Sequence, residues 1–326
     1  MLKKGIAAVL CAVLLLSGCG APQKIEKSGK LNVVSVSFPG YSFAKEIAGG
    51  AAEVSLLLPV GTEAHSYEPT PKDMIKIQNA DLFIYGGGES ENWVKEVLSS
   101  LDKPIETVAY TDCAALLDEE VTEGMQVRGS AHETAHKTAH ETAHDEVHHE
   151  EEKDEHVWTN PQNAVLITRA ITEKMCEKDE KNAVLYEKNA EKYIKKLNEL
   201  DKEFEETVQS AKRKEIIVGD RFPFLYLARR YGLSFYAAFP GCAGESEPSA
   251  KTIAFLIKKV KEDRIPVVFY TEFSNQKVAK TIAEASGAKP LLLHSCHNVS
   301  KSDFENGATY YSLMRENLAH IKEALN

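Results

Sequence analysis

The chain predicts an α/β protein with two regions of mainly parallel sheet flanked by helices, set on either side of one long helix. Three observations carry that reading. Short β-branched runs alternate with helical segments at a pitch that leaves room for crossover helices, which indicates parallel strands. The same rhythm resumes in the C-terminal half. Between the two lies the most regular amphipathic stripe of the sequence. With 326 residues the chain is long enough for two ordinary domains with substantial cores.

Leu31 to Phe38 (LNVVSVSF) is a buried strand, broken by Pro39-Gly40 and followed by a helix over Tyr41 to Ile47. Val54 to Leu58 is the next strand, and Pro59-Val60-Gly61 opens a loop that contains His65. Pro71 to Gln78 is a short helix, then Asp81 to Tyr85 a strand ending at Gly86-Gly87-Gly88. Asn160 to Cys176 reads as a helix, with Thr159 or Asn160 as its cap. From about Asp179 to Ala211, Tyr186, Ala190, Tyr193, Leu197, Leu200 and Phe204 step by four and three. That helix would extend roughly 45–50 Å, long enough to lie along two domains. Its short heptad run leaves a coiled-coil dimer as the alternative. Strands follow at Ile216 to Val218, Ser234 to Ala238, Val267 to Tyr270 and Leu291 to Leu293. Helices are expected over Pro223 to Tyr231, Ser249 to Glu262, Lys277 to Ser286 and Ala308 to Leu325. In parallel sheets ligands sit at the carboxyl ends of strands, and His65, His294 and His297 all follow a strand.

The charge balance limits the partners. A formal net charge of −10 disfavours nucleic acid and anionic lipid surfaces, both of which require a basic patch. At the N-terminus, Lys3-Lys4 precede an apolar run from Gly5 to Leu16, too short to span a bilayer. Leu16-Ser17-Gly18-Cys19 resembles the bacterial lipobox, in which the cysteine is lipidated and becomes the new N-terminus. Residues 1–18 are then a signal peptide, 19–30 a polar tether, and the mature chain an extracytoplasmic lipoprotein anchored at Cys19. Of the six cysteines, Cys113, Cys176, Cys242 and Cys296 remain in the mature chain. An oxidising compartment suggests two disulfides, expected as Cys242 with Cys296 and Cys113 with Cys176, with buried free thiols as the alternative.

Ala131 to Pro161 reads AHETAHKTAHETAHDEVHHEEEKDEHVWTNP. Imidazole has an unperturbed pKa of about 6.5, so near neutral pH its nitrogen is free to hold a transition metal. The interleaved carboxylates favour a divalent cation over an anion. The A-H-x-T repeat offers almost nothing to bury, so the stretch reads as a metal-collecting arm, with a plain solvated loop as the simpler reading. His132 to His136 and His140 to His144 also match the H-E-x-x-H pattern of zinc peptidases. That chemistry needs both histidines on one helix face beside a third fixed ligand, and the repeat has no apolar stripe to make one.

GTEAHSYEPTP, ADLFIYGGG with Trp93 following, DEHVWTNPQNA and ATYYSLMRENLAHIKEAL together resemble the zinc/manganese substrate-binding lipoproteins of bacterial ABC importers, over nearly all of the mature chain. The acidic histidine arm at 131–155 resembles that of the zinc-selective members. The resemblance implies two lobes, 31–178 and 213–326, joined by one long rigid linker helix over 179–212, with the metal clamped between lobes that rock only slightly. It implies no enzymatic activity, Zn²⁺ as the cargo with Mn²⁺ the less suited ion, an ABC permease as partner and a monomeric state. Surface adhesion, a role given to lipoproteins of this shape, has no support in the residues. The family pattern places metal ligands at His65 and His156. Its third position falls on Arg221, which has no acceptor atom to offer a metal. Asp220 is the expected substitute and His294 the expected ligand after the last strand, with His297 and Glu272 as further candidates. Arg221 is expected to pair with Glu245 or Glu272. The alternative of a secreted zinc hydrolase requires Glu133 and Glu141, and their replacement by Gln would spare metal uptake.

If the arm only gathers metal for a tighter site, deleting Ala131 to Glu152 lowers the number of zinc ions bound per chain and leaves one tight ion, as read by equilibrium dialysis.

Overall fold

Two four-stranded sheets are built with the same order and the same parallel sense. The computed structural model describes residues 29–126, 152–242 and 247–326. The signal and tether segments up to residue 28, the arm over 127–151 with both H-E-x-x-H matches, and Glu245 lie outside the described residues. Leu31–Asn326 forms one compact unit. In the first sheet, β1 (Asn32–Ser35), β2 (Glu53–Leu56), β3 (Leu82–Tyr85) and β4 (Glu106–Ala109) lie in the order β2-β1-β3-β4. In the second, β5 (Glu215–Phe222), β6 (Ser234–Pro240), β7 (Val267–Tyr270) and β8 (Lys289–Leu292) lie in the order β6-β5-β7-β8.

Parallel strands with helices on both faces must be apolar on both sides, and the central strands here are. Val33, Leu82 and Ile84 face the main core, whereas Val34 and Phe83 face a second cluster under α2 (Pro71–Gln78) and α3 (Trp93–Ser100). The second sheet repeats this. Ile216, Val218 and Phe269 face the main core, while Ile217 and Val268 face a cluster under α7 (Ala250–Glu262) and α8 (Lys277–Ser286). Period-two alternation of strand side chains thus sorts the residues between inner and outer layers.

The inner layer consists of α1 (Phe38–Ala48), α4 (Pro161–Lys178), the long α5 (Ala183–Gln209), α6 (Leu225–Tyr231) and α10 (Tyr310–Ala324). Asn160 caps α4 by accepting the Gln162 N–H, with Pro161 preset for the first helical turn. A 3₁₀ turn at Glu180–Asn182 delays the start of α5, so the helix is about 40 Å long rather than 45–50 Å. Its expected stripe, from Tyr186 to Phe204, is fully covered by the chain's own inner helices, so that face is not left open for a coiled-coil partner. The main core is continuous from Phe43 through Tyr193 and Leu197 to Phe222 and Leu227, joining both sheets through one apolar interior.

Three elements are absent from the sequence reading: α3, β4 and α9 (Lys301–Glu305). They bury only Val94 and Val97, Val108 and Ala109, and no residue at all, respectively, too little to leave a period in the sequence. The disulfides expected between Cys242 and Cys296 and between Cys113 and Cys176 are not formed, and all four thiols are free. Each sits in its own packing environment. Cys113 donates to the Ala109 carbonyl, Cys176 faces the Ala183 carbonyl, and Cys296 is wholly buried. Burial pushes the Cys113 thiol up to about 11, which keeps it protonated and unreactive. No helix among the described residues is long and apolar enough to cross a membrane.

Asp201 ties α5 to its neighbours. Its carboxylate accepts from Tyr231 Oη at 2.8 Å, from Arg230 Nε and Nη2 at 3.0 and 2.7 Å, and from Gln162 Nε2 at 3.0 Å. Asp201→Ala leaves these donors without their acceptor and should lower unfolding free energy by roughly 3 kcal/mol in urea titration.

Candidate metal centre

Three histidines from three separate segments meet between the two sheets. His65 lies in the loop after β2, His156 in the segment that enters α4, and His297 in the loop after β8. Each offers a ring nitrogen within 4.8 Å of the others. Their ring centroids are 5.5 Å apart for His65 and His156, 5.2 Å for His65 and His297, and 5.8 Å for His156 and His297. Nε2 of His65, Nε2 of His156 and Nδ1 of His297 are buried and have no hydrogen-bond partner among the described residues. Three such atoms on one cavity are a donor set awaiting an acceptor of lone pairs.

One local device sets all three. The residue two positions earlier bonds back to each histidine, as short polar side chains do in Asx-type turns. Glu63 Oε1 accepts from His65 Nδ1 at 2.9 Å. Asp154 Oδ1 accepts from both the backbone N–H and Nδ1 of His156, at 2.8 and 3.1 Å. Ser295 Oγ accepts the His297 N–H at 3.1 Å. A proton held on Nδ1 by a carboxylate leaves the Nε2 lone pair bare, which fixes the tautomer needed for a metal. The E-x-H, D-x-H and S-x-H spacings were present in the sequence and were the missed signal.

The loops are held by contacts that cross between the sheets. Trp158 Nε1 donates to the Ser295 carbonyl at 2.8 Å, and its ring packs at a tilt against that of His297, centroids 4.7 Å apart. Asn298 Nδ2 donates to the carbonyls of Pro59 and Thr62, both at 2.9 Å, in the loop that carries His65. Phe38 N–H donates to the His297 carbonyl at 3.0 Å. Between His294 and His297 the backbone turns through Cys296 at φ 63°, a left-handed conformation unusual for a residue with a side chain.

That turn decides which histidine faces the cleft. The structure brings His65 and His156 together as expected, but places His297 beside them and leaves His294 and Asp220 outside the group. His294 Nδ1 accepts the Cys296 N–H at 2.9 Å, and its backbone is clamped on both sides by Asn317. It braces the turn. Asp220 accepts from the Arg221 N–H and from Thr271 Oγ1, both at 2.9 Å. β5 is irregular in register between Val218 and Arg221, and Arg221 lines the histidine cavity while Asp220 lines only the adjoining one beside Glu63 and His65. Glu272 is spent on the N–H and hydroxyl of Ser295, so it supports the His297 loop. Arg221 pairs with Glu63 at 2.5 Å, a partner beyond the expected Glu245 or Glu272, of which Glu245 lies outside the described residues.

The charges differ from one imidazole to the next. Burial pushes His297 well below its ordinary pKa, and the nearby His65 and His156 add to the effect. Burial acts in the same direction on His156, but the Asp154 carboxylate outweighs it and holds that imidazole well above its ordinary value. Burial also opposes ionisation of Glu63, yet the His65 hydrogen bond and the Arg221 charge hold its carboxyl far below the usual range.

A two-sheet α/β protein whose loops converge on one cleft of bare imidazole nitrogens has the form of a two-lobed binding protein. The chain belongs to the family described as zinc-uptake complex component A, periplasmic, whose sequence model matches residues 33–324. The high-affinity zinc uptake system protein ZnuA of Bacillus subtilis (strain 168) is 35% identical over 331 residues, covering 100% of this chain and 99% of that protein. The zinc-binding lipoprotein AdcA of Streptococcus pneumoniae (strain ATCC BAA-255 / R6) is 34% identical over 320 residues, 98% of this chain. The chain spans 60% of the length of that streptococcal relative. Among solved structures, the Zn(II)-bound ZnuA-like domain of S. pneumoniae AdcA superposes with a TM-score of 0.72 at 33% identity, covering 91% of this chain and 99% of that one. The metal-dependent lipoprotein YcdH of B. subtilis gives 0.73 at 32% identity, with 91% and 100% covered.

Glu155, whose Oε1 lies 3.6 Å from His65 Nε2, accepts from Ser90, and the buried Glu91 accepts the N–H groups of Gly86 and Gly87 at 2.6 and 3.2 Å. Burial, and next the Glu155 charge, raise Glu91 to about 7 from 4.5. The folded state therefore keeps a proton that the unfolded chain loses between those values, and stability falls as pH rises through that window. Glu91→Gln removes the effect. Urea titration should show the variant gaining on the parent by on the order of 3 kcal/mol between pH 5 and pH 8.

Proposed function

We propose that this chain captures Zn²⁺ at His65, His156 and His297 outside the cytoplasm and hands it to the permease of an ABC importer. The carrying observation is the convergence of three buried, unpartnered imidazole nitrogens, at least two of them backed by a carboxylate. An all-nitrogen donor set suits zinc and is poor for manganese, which prefers oxygen. Three protein ligands leave one tetrahedral position open, which suits an ion that must be passed on rather than kept. The zinc-binding names of the two relatives above, and the family's place in zinc uptake, support the same reading. Cys19 serves as the lipid anchor, and the arm over 131–155 concentrates the ion near the cleft. No catalysis is involved.

Competition with a chromophoric chelator tests the ligand set. His65→Ala, His156→Ala and His297→Ala should each weaken zinc binding by more than ~100-fold, since each removes a bond from a site whose folding-coupled affinity is large. Asp220→Asn should bind as the parent does. Full affinity in His297→Ala would refute the assignment, and an unaltered chain without tight zinc would refute the function.

A further inference from the structure

Arg221 stands at the carboxyl end of β5 in the second sheet, yet its guanidinium reaches the loop that follows β2 in the first. Its Nη2 donates to Glu63 Oε2 at 2.5 Å. The other oxygen of the same carboxylate accepts from His65 Nδ1 at 2.9 Å. The three groups form a chain across the cleft, guanidinium to carboxylate to imidazole.

The comparison with His156 shows why such a chain is needed. Its carboxylate partner, Asp154, is only 1% exposed, is gripped by the His156 backbone N–H and needs no outside support. The Glu63 side chain is 37% exposed. Water competes for a carboxylate so placed, and its two bonds from His65, Nδ1 at 2.9 Å and a long backbone N–H at 3.4 Å, hold it less firmly than the 2.8 Å backbone bond holds Asp154. A planar guanidinium on the second oxygen adds to that hold, because charge-assisted bonds from a fixed donor restrict rotation about the carboxylate.

We infer that Arg221 is a positioning residue of the zinc site: acting through Glu63 from the opposite sheet, it holds His65 with Nδ1 protonated and Nε2 bare toward the ion. The inference rests on the zinc reading above and deepens it. A cation that cannot itself ligate is kept beside a dication because Glu63 neutralises it and carries its orienting effect to His65. The first ligand is thereby readied only when the second sheet is in place.

Two measurements on the full chain test this. Nitrogen-15 histidine NMR of the metal-free protein at pH 8 should show His65 as the Nδ1–H tautomer in the parent. Arg221→Ala should shift it toward Nε2–H, and Arg221→Lys should restore it in part. Chelator competition should show Arg221→Ala binding zinc ~10-fold more weakly, the scale of a lost outer-shell partner. Glu63→Ala should lose at least as much, and the double variant no more than Glu63→Ala alone. An unchanged His65 tautomer in Arg221→Ala, or losses that multiply in the double variant, would overturn the inference. Should Arg221→Ala fail to fold, Arg221→Gln gives the same two readouts. A tautomer that responds in a parent without tight zinc would sink the zinc reading and leave the positioning role standing.

Discussion

The hydrogen bond from the Trp158 indole to the Ser295 carbonyl is the contact on which the cleft depends. It joins a residue two beyond His156 to a residue two before His297, so one buried bond sets the distance between two imidazoles from different sheets. Both ends are shielded from water, with Trp158 1% and Ser295 6% exposed, where an unmade bond costs most. Ser295 is in turn held by Glu272 and holds the His297 N–H, which makes the loop a short polar network with its members mutually satisfied. Asn298 extends the same network to the loop of His65.

Electrostatics within the cleft divide the work. The Asp154 carboxylate accepts from Nδ1 of His156, and Glu63 accepts from Nδ1 of His65, which makes each other ring nitrogen more electron-rich. No carboxylate among the described residues is hydrogen-bonded to the His297 ring, and burial favours its neutral form.

Much of this organisation was legible in the residues. The stripe on α5, the capped start of α4 at Asn160 and the strands at 81–85 and 267–270 follow from periodicity and turn chemistry that act locally. The positions of His65 and His156 in loops could be read in the same way. The choice of His297 over His294 could not, because it depends on a left-handed backbone at Cys296, a residue type that does not advertise that conformation. The Arg221 contact with Glu63 is hidden from the sequence for a related reason. Glu63 lies 158 residues away, and only the closing of the two sheets brings it near. The cysteines misled because an even number in an exported chain fits a disulfide framework equally well when every thiol is packed alone.

One feature of the interior limits how cargo can move. The apolar packing around Tyr193, Leu197 and Leu200 runs without a break from one sheet to the other, so the molecule lacks a crease along which to fold open. At the rim of the cleft the side chains of Glu63 and Phe273 meet solvent. For the zinc site proposed above, a membrane receiver would then act on the loops of the cleft rather than on the apolar body.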